Sequence, residues 1–580
     1  MRLILHYLKN YKLLFAINVI SACGFVLVEL GIPTIVAEMI DNGVAKGDSA
    51  YIYRMGGVIA LISVVGVSGT ILLGYCCARI STCITRDMRN DIFERIQDFS
   101  HFEINSFGVA SLITRTNNDA FQIQMFVNVL LRTALMTPVM IVFSMVMTVR
   151  ASLQLSLIIG ATIPIIVIGV IIVAKVSEPI SENQQKSVDG LNRIFRENLT
   201  GIRVIRAFNN DDYEEKRFDE MNQSYTRFTK RIFKLMTMTQ PVFFMLMNLA
   251  GLAIYWLAAI LIDEGSLPLG QLVAFNDYLF HAMFSVMLFC TVFMLYPRAA
   301  VSARRIQAVL DTNGSIENSE EGVKIDDISS IAFDNVTFQF ADSDEPALEN
   351  LNFEVKKGET LAVIGSTGSG KSTLINLIPR FYDVTKGAVR IDGRDIRQID
   401  LFSLRRHIGF VAQKANLFSG TIADNIRFGK EDATDEEVRR AARIAQASDF
   451  IQRKERGYDE MITEGGTNLS GGQKQRISIA RALAAKPSVY VFDDSFSALD
   501  FETESRLRRE LKSETKEAIT VIVAQRISTA MDADQIAVLH DGKIVGLGKH
   551  RELLKNCRIY REIAESQLSE EELSNEEQDG

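Results

Sequence analysis

The sequence has no excess of basic residues, and this absence first limits the class of partner. Of its 580 residues, 63 are Lys or Arg and 71 are Asp or Glu, which gives a formal net charge of −8. A nucleic-acid partner favours a basic surface, so we expect no nucleic acid to bind. Lys and Arg are also absent between Glu565 and Asp579. Because such a segment cannot bury a core, we predict an acidic disordered tail over residues 564–580.

Cysteines paired at metal-ligand spacing are missing as well. The six cysteines, most of them in apolar segments, are Cys23, Cys76, Cys77, Cys83, Cys290 and Cys557. We favour small hydrophobic side chains over a metal site or a disulfide. A cleavable signal peptide is not predicted either, because the first apolar run, about residues 13 to 36, is long enough to span a bilayer, and a signal h-region is about half that length.

Long apolar runs are abundant, by contrast, and they lie in the first half of the chain. A mean hydropathy of +0.11 coexists with 23% charged residues, so the apolar residues must be segregated. Six segments approach the ~20 residues that a bilayer core requires, at roughly 13–38, 53–79, 127–149, 154–176, 241–263 and 270–297. We predict an α-helical polytopic membrane domain with six transmembrane helices over residues 1–325, and a soluble domain over residues 326–563.

Two long polar stretches, after the second and the fourth segment, predict the orientation in the membrane. They are basic beside the membrane, as is the N-terminus with Arg2, Lys9 and Lys12. The positive-inside tendency places these stretches, the soluble domain and both termini in the cytoplasm. Apolar residues recur every three or four positions within the stretches, so we expect the spanning helices to extend beyond the membrane. The segment from Met1 to Lys12 is either an interfacial helix or an initial disordered segment.

The soluble half begins near Ser330 with a strand-like run and then carries a glycine-rich loop between a buried strand and a helix. The residues that we predict to bind phosphate are Gly365, Ser366, Thr367, Gly368, Ser369, Gly370, Lys371, Ser372 and Thr373. Glycines let backbone N–H groups face phosphate oxygens, and the helix N-terminus adds partial positive charge. Lys371 is predicted to reach the β- and γ-phosphates of ATP, and Ser372 to ligate Mg²⁺. Such a string can also occur by chance, so the motifs downstream decide whether it is a phosphate-binding loop.

Those motifs resemble the ABC transporter family over nearly the whole chain. Leu469-Ser470-Gly471-Gly472-Gln473 matches the family's signature sequence, and Ser488 to Asp493 resembles its Walker B strand. The resemblance is to an exporter half-transporter of the bacterial multidrug type, with six spans fused to an α/β P-loop ATPase domain. It implies that Ser470, Gly471, Gly472 and Gln473 bind the γ-phosphate of ATP held by a partner subunit.

The resemblance also implies roles for single residues. Asp493 would hold Mg²⁺ through water, Gln413 would sense Mg²⁺ and the membrane domain, and Asp500 would belong to the D-loop. Phe340 occupies the place of the aromatic residue that stacks on adenine, where Tyr is usual, and a plain core role is the alternative. Segments near 100–110 and 204–213 would form coupling helices that rest on the ATPase domains.

Two positions depart from the family pattern, and both belong to one nucleotide site. Asp494 stands where such ATPases carry a catalytic glutamate, and Gln525 stands where they carry a switch histidine. The signature stretch, which would serve the other site, is intact. We therefore predict the degenerate-site subunit of a heterodimer, whose partner is a second half-transporter with the glutamate and the histidine. In a homodimer both sites would be weakened.

The substrate is predicted from polar and adaptable side chains within the spans. They are Glu29, Asn248, Asn276, Asp277 and His281, among Phe244, Met245, Met247, Phe284 and Met287. Ionisable groups in a span tend to face an interior, and Met-rich surfaces adapt to varied ligands, which indicates amphipathic small molecules at the plasma membrane. Helix packing and solvated carboxylates are the alternatives. Lipid or peptide export, and a regulatory subunit that binds nucleotide without pumping, also remain open.

Overall fold

The computed structural model describes residues 2–318, 322–341 and 343–568. The chain divides into two compact units, Met1–Asp98 with Phe107–Asn313, and Phe99–Ser106 with Gly314–Gly580. This division lies earlier than the predicted boundary at residue 325. The reason is that the chain just before residue 325 packs on the soluble domain: the Val323 N–H donates to the Gln398 carbonyl at 3.0 Å.

The first unit is helical, and six stretches are long and apolar enough to cross a membrane. Its helices, with the short α4 that groups with the second unit, are α1 Arg2–Leu8, α2 Lys12–Glu38, α3 Ser49–Gln97, α4 His101–Phe107, α5 Val109–Thr114, α6 Ala120–Val129, α7 Leu135–Ala151, α8 Leu153–Phe208, α9 Asp211–Asp263 and α10 Leu269–Leu310. Five of the six predicted segments fall within single helices, and the segment 127–149 runs from α6 through a π-helical turn, Leu130–Ala134, into α7. Helix α8 has 56 residues, about 84 Å at 1.5 Å per residue, so it extends well beyond a bilayer core of about 30 Å.

The turns on either side of α8 are short. Ser152 alone, extended and capping α8 by accepting the Leu155 N–H, separates α7 from α8. Asn209, in the left-handed region with φ 51°, and Asn210 separate α8 from α9. The segment near 204–213 therefore consists of the end of α8, this two-residue turn and the start of α9, and its predicted coupling role stays a prediction. Helix α4 occupies the other predicted segment.

The N-terminal segment is helical from Arg2, so it is not an initial disordered segment. Leu3, Ile4 and Tyr7 of α1 are buried. The Tyr7 hydroxyl donates to Asp91 Oδ2 on α3 at 2.6 Å. These contacts fix α1 along the C-terminal part of α3.

The second unit is built on a six-stranded sheet of order β12-β11-β3-β10-β9-β6, parallel except for β12. A four-stranded antiparallel sheet, β2-β1-β4-β5, and the pair β7-β8 accompany it. The strands are β1 Ser330–Phe338, β2 Leu348–Lys356, β3 Thr360–Gly365, β4 Lys386–Ile391, β5 Arg394–Asp395, β6 Ile408–Val411, β7 Gly420–Thr421, β8 Met461–Ile462, β9 Val489–Asp493, β10 Ile519–Ala524, β11 Gln535–His540 and β12 Lys543–Gly548. All five residues of β9 are buried, as expected for a parallel sheet covered on both faces.

Helices surround these sheets. They are α11 Lys371–Leu377, α12 Leu401–Arg406, α13 Ile422–Arg427, α14 Asp435–Ile444, α15 Ser448–Gln452, α16 Gly471–Ala485, α17 Phe501–Glu514, α18 Ile527–Ala530, α19 His550–Asn556 and α20 Arg558–Glu565. Tyr560 and Ala564 of α20 are fully buried in a core cluster. The acidic tail predicted from residue 564 therefore starts too early, since Ala564 packs inside the domain. Residues 569–580 lie outside the described residues.

The sheet order brings the predicted nucleotide residues to one edge. Strands β3, β10, β9 and β6 are neighbours, and their carboxyl ends meet at the same side of the sheet. The glycine-rich loop follows β3, Gln525 follows β10, Asp494 follows β9 and Gln413 follows β6. In open α/β sheets, ligands bind outside the carboxyl ends of the strands.

Candidate nucleotide-binding site

The glycine-rich loop holds its lysine inside the turn. Lys371 Nζ donates to the carbonyl oxygens of Gly365 at 2.9 Å and Ser366 at 2.7 Å. A Cβ at Gly365 would lie 2.1 Å from the Leu539 carbonyl oxygen, so only glycine fits there. Burial lowers the pKa of Lys371, and the carboxylates of Asp494 and Asp493 oppose that shift. The loop therefore presents one partly desolvated cation that an anionic ligand would stabilise.

A hydroxyl and a carboxylate face each other beside this lysine. Ser372 Oγ donates to Asp493 Oδ1 at 3.1 Å, and Asp493 is only 8% exposed. Burial raises the pKa of Asp493, with a further rise from Asp494, against the hydrogen bond from Ser372. Oxygen donors of this kind suit Mg²⁺, which usually takes one or two carboxylates together with phosphate oxygens and waters. Among the described residues, no group of three or more His, Cys, Asp and Glu could hold a metal by itself.

One buried hydroxyl in the loop has no partner. Ser369 Oγ lies in a residue that is 2% exposed and makes no hydrogen bond within the described chain. An unsatisfied buried donor is costly unless a ligand or a water pairs with it. The loop therefore fits an oxygen-rich ligand such as a phosphate chain.

Asp494 is held between two glutamine side chains. Gln525 Nε2 donates to Asp494 Oδ2 at 2.7 Å, and Gln413 Nε2 donates to the same oxygen at 3.2 Å. The Asp494 backbone lies in the left-handed region with φ 45°, which Asp tolerates better than most residues. Burial raises the pKa of Asp494. The structure thus brings together Gln413, Asp494 and Gln525, which the sequence singled out. One oxygen of the Asp494 carboxylate, Oδ2, accepts hydrogen bonds from both glutamine amides.

Phe340 lies at the edge of a row of aromatic rings. It makes edge contacts with Phe338 at 4.8 Å and with Tyr382 at 5.6 Å between ring centroids. Tyr382 in turn contacts His101 of α4 at 6.3 Å. Phe340 is half-buried against the core, so the packing role is present, and its edge contacts are compatible with the predicted stacking on adenine. Tyr382 and His101 were missed, because no local motif marks them.

The signature residues lie at the N-terminus of another helix, α16. Ser470 caps α16 through reciprocal bonds with Gln473: its hydroxyl accepts the Gln473 N–H at 3.3 Å, and its own N–H donates to Gln473 Oε1 at 3.1 Å. Gly471 and Gly472 open the first turn of this 15-residue helix. A helix N-terminus of this kind favours anions. Asp500 caps α17 by accepting the Thr503 N–H at 2.9 Å.

The two sets do not meet within this chain. Over the described residues, no hydrogen bond or ion pair joins residues 470–473 to residues 365–372. Within this chain the two sets are therefore separate features of the second unit.

Comparison with known proteins agrees with both units. The family model for the ABC transporter transmembrane region matches residues 15–288, and the ABC transporter model for the second unit matches residues 348–497. The chain is 39% identical over 568 residues to the uncharacterized ABC transporter ATP-binding protein YfiB of Bacillus subtilis, covering 98% of each chain.

Two further relatives show the range of names within this group. The uncharacterized ABC transporter ATP-binding protein Rv1273c of Mycobacterium tuberculosis is 36% identical over 572 residues, which is 97% of this chain and 98% of that one. The ATP-dependent lipid A-core flippase of Desulfotalea psychrophila is 34% identical over 478 residues, covering 82% of this chain and 83% of the flippase.

Proposed function

The chain belongs to the ABC transporter family, and from that premise we propose that it is one subunit of a heterodimeric, ATP-driven exporter of amphipathic compounds. It binds ATP with Mg²⁺ at a degenerate site and lends its signature residues to the catalytic site of its partner. The single observation that carries this proposal is the position of Asp494 between Gln413 and Gln525.

The degenerate site follows from the chemistry of hydrolysis. A carboxylate has to orient the attacking water beyond the γ-phosphate, and a misplacement of about 1 Å can cost roughly 10²-fold in rate. Asp494 is one methylene shorter than glutamate, and one of its oxygens already accepts two amide hydrogens. Gln525 donates a hydrogen bond but cannot become cationic as histidine can. Both changes therefore slow turnover while leaving groups that bind nucleotide.

The residues that would hold nucleotide are intact. Lys371 would pair with the phosphates once its bonds to the loop carbonyls are exchanged, and Ser372 and Asp493 would hold Mg²⁺. When bound, Mg²⁺ neutralises charge on the phosphate oxygens. We place this domain and both termini in the cytoplasm, and the six spans in the plasma membrane.

The partner is inferred from what this chain lacks. The competent site needs a P-loop, a glutamate and a histidine from a second half-transporter, facing Ser470 of this chain. A homodimer would contain two copies of the Asp494 and Gln525 arrangement and no competent site.

We expect the purified chain alone to bind MgATP but to hydrolyse it slowly. Turnover should be about 10²-fold below that of a complex with an intact partner, since the catalytic carboxylate is displaced and partly occupied. Nucleotide binding and steady-state ATPase rates of the isolated chain, with Lys371→Ala as the control that removes binding, measure this. Fast hydrolysis by the isolated chain would overturn the heterodimer proposal.

The substrate class is proposed from a polar group within the spans. His281 Nδ1 on α10 lies 3.7 Å from Glu29 Oε1 on α2, and both side chains are partly exposed. Asp277, one turn before His281, is also exposed. The stacked pair Phe280 and Phe284, 5.7 Å between centroids, follows on the same helix. Carboxylates beside aromatic rings suit an amphipathic cation.

We expect Glu29→Gln to raise the KM for cationic compounds about fivefold, which corresponds to about 1 kcal/mol, and to change the KM for neutral compounds little. The reason is that the substitution removes charge while keeping size and hydrogen bonding. Transport into vesicles, with paired cationic and neutral compounds, measures the difference. Glu38→Gln is the matched control, because Glu38 is an exposed carboxylate at the end of the same helix. Equal effects on both compound classes would argue against the charge-pairing role.

Lipid export is the second candidate, and the flippase relatives favour it. The same assay separates the two: a lipid flippase would move labelled lipid between leaflets with ATP and would show no dependence of small-cation transport on Glu29.

A further inference from the structure

Gln567 lies just beyond α20 and makes two hydrogen bonds to the backbone beside Gln525. Its side-chain carbonyl accepts the Ile527 N–H at 2.8 Å, and its amide Nε2 donates to the Gln525 carbonyl at 2.9 Å. One side chain therefore pairs with a backbone donor and a backbone acceptor two residues apart. Such a two-point contact fixes both the position and the direction of the segment between them.

The contact also supplies a helix cap that the local sequence does not provide. Ile527 is the first residue of α18, and Arg526 at the N-cap makes no side-chain capping bond. The first N–H groups of a helix need partners from outside it, and Gln567 meets this need from a different part of the chain. Removing its side chain would create no buried cavity, because Gln567 itself is exposed.

Glu504 of α17, which is 2% exposed, contacts the same segment, residues 525–529, through side chains. Glu504 pairs with Arg526 at 3.1 Å and accepts the Thr529 hydroxyl at 2.8 Å. Glu504 thus holds side chains of the segment, whereas Gln567 holds its backbone. The backbone that leads to Gln567 is fixed in place, because Tyr560 and Ala564 of α20 are fully buried in the domain core.

The backbone that Gln567 holds carries the Gln525 side chain into the nucleotide site. Gln525 reaches Asp494, which follows Asp493 directly, and Asp493 accepts the Ser372 hydroxyl at the end of the phosphate loop. We propose that Gln567 is a positioning residue that holds Gln525 at the γ-phosphate end of the site and so helps this chain to distinguish ATP from ADP. This inference rests on the nucleotide role proposed above for the site that contains Gln525.

The test is the ratio of MgADP to MgATP dissociation constants for the full-length chain in lipid nanodiscs. We expect Gln567→Ala to weaken MgATP binding about five- to tenfold, the size of one net hydrogen bond. MgADP binding should change by less than about twofold, since ADP has no γ-phosphate for Gln525 to meet. Gln525→Ala should lower the ratio similarly. The double variant should lose no more than either single variant, because the two residues act on one contact.

Two further variants sharpen the test. Glu565→Ala, which changes an exposed residue at the end of α20, should behave as wild type. Gln567→Glu keeps the length and the acceptor for Ile527 but loses the donor to the Gln525 carbonyl, so it should also lower the ratio. If Gln567→Ala does not fold, Gln567→Glu replaces it in the same measurement.

Each other result counts against the inference. Equal losses for MgATP and MgADP, or additive losses in the double variant, would mean that Gln567 only stabilises the domain. If Gln525→Ala lowers the ratio and the Gln567 variants do not, the inference alone fails. If Gln525→Ala leaves the ratio unchanged, the proposed nucleotide role of Gln525 fails and the inference fails with it.

Discussion

Ser470→Ala is expected to reduce ATP turnover of the complex with its partner by about 10²-fold or more, whereas Asp494→Asn should reduce it by less than about threefold. The signature hydroxyl would contact the γ-phosphate where hydrolysis occurs, and removing one such donor commonly costs about 10²- to 10³-fold. Asp494 would lie in the slow site, where its carboxylate oxygen is already occupied by Gln413 and Gln525. Lys371→Ala should fall between them, because losing nucleotide at the slow site weakens the dimer without changing the chemistry.

This comparison needs a control for helix capping, because Ser470 also caps α16. Losing a cap costs about 1 kcal/mol of stability. Thr434→Ala removes an equivalent capping box from α14, so it separates a loss of stability from a loss of catalysis. Steady-state ATPase rates of the four variants with wild-type partner give the answer. If Asp494→Asn abolishes turnover while Ser470→Ala is mild, the slow and the competent site have been assigned the wrong way round.

The sequence predicted the features of this molecule that depend on residues close together in the chain. A buried strand, a glycine loop and a helix in succession identify residues 365–373, and six apolar segments of bilayer length identify the helices α2, α3 and α6 to α10. Asp494 and Gln525 stood out because single residues depart from a known pattern. That they hydrogen-bond to each other required the strand order, which places β9 beside β10.

What the sequence did not predict depends on contacts between distant residues. Gln567 is 42 residues from Gln525, and no motif in the neighbouring sequence marks it. Tyr382 and His101 are brought together only by folding. The exact position of the turn within 204–213 was not predicted either: Asn209 adopts positive φ and reverses the chain in two residues, and Asn is one of the few residues that reach this conformation readily.

The converse change should restore chemistry to the slow site. In a complex whose partner site has been inactivated, Asp494→Glu combined with Gln525→His is expected to raise ATP turnover about 10²-fold over the wild-type chain. The added methylene moves the carboxylate toward the γ-phosphate, and the histidine can carry positive charge there. Replacing Gln525 also removes the 2.7 Å hydrogen bond that its side-chain amide now donates to Asp494 Oδ2.

Neither substitution should suffice alone, and the backbone opposes one of them. Position 494 has φ 45°, a conformation that costs a longer side chain on the order of 1 kcal/mol, so Asp494→Glu alone should lower stability and give only a partial gain. Gln525→His alone leaves the carboxylate too short. The matched control adds Lys371→Ala to the double variant, which should abolish the gain if the new turnover occurs at this chain's own phosphate loop. If the double variant remains as slow as wild type while still binding MgATP, the two substitutions at positions 494 and 525 are not what makes this site slow.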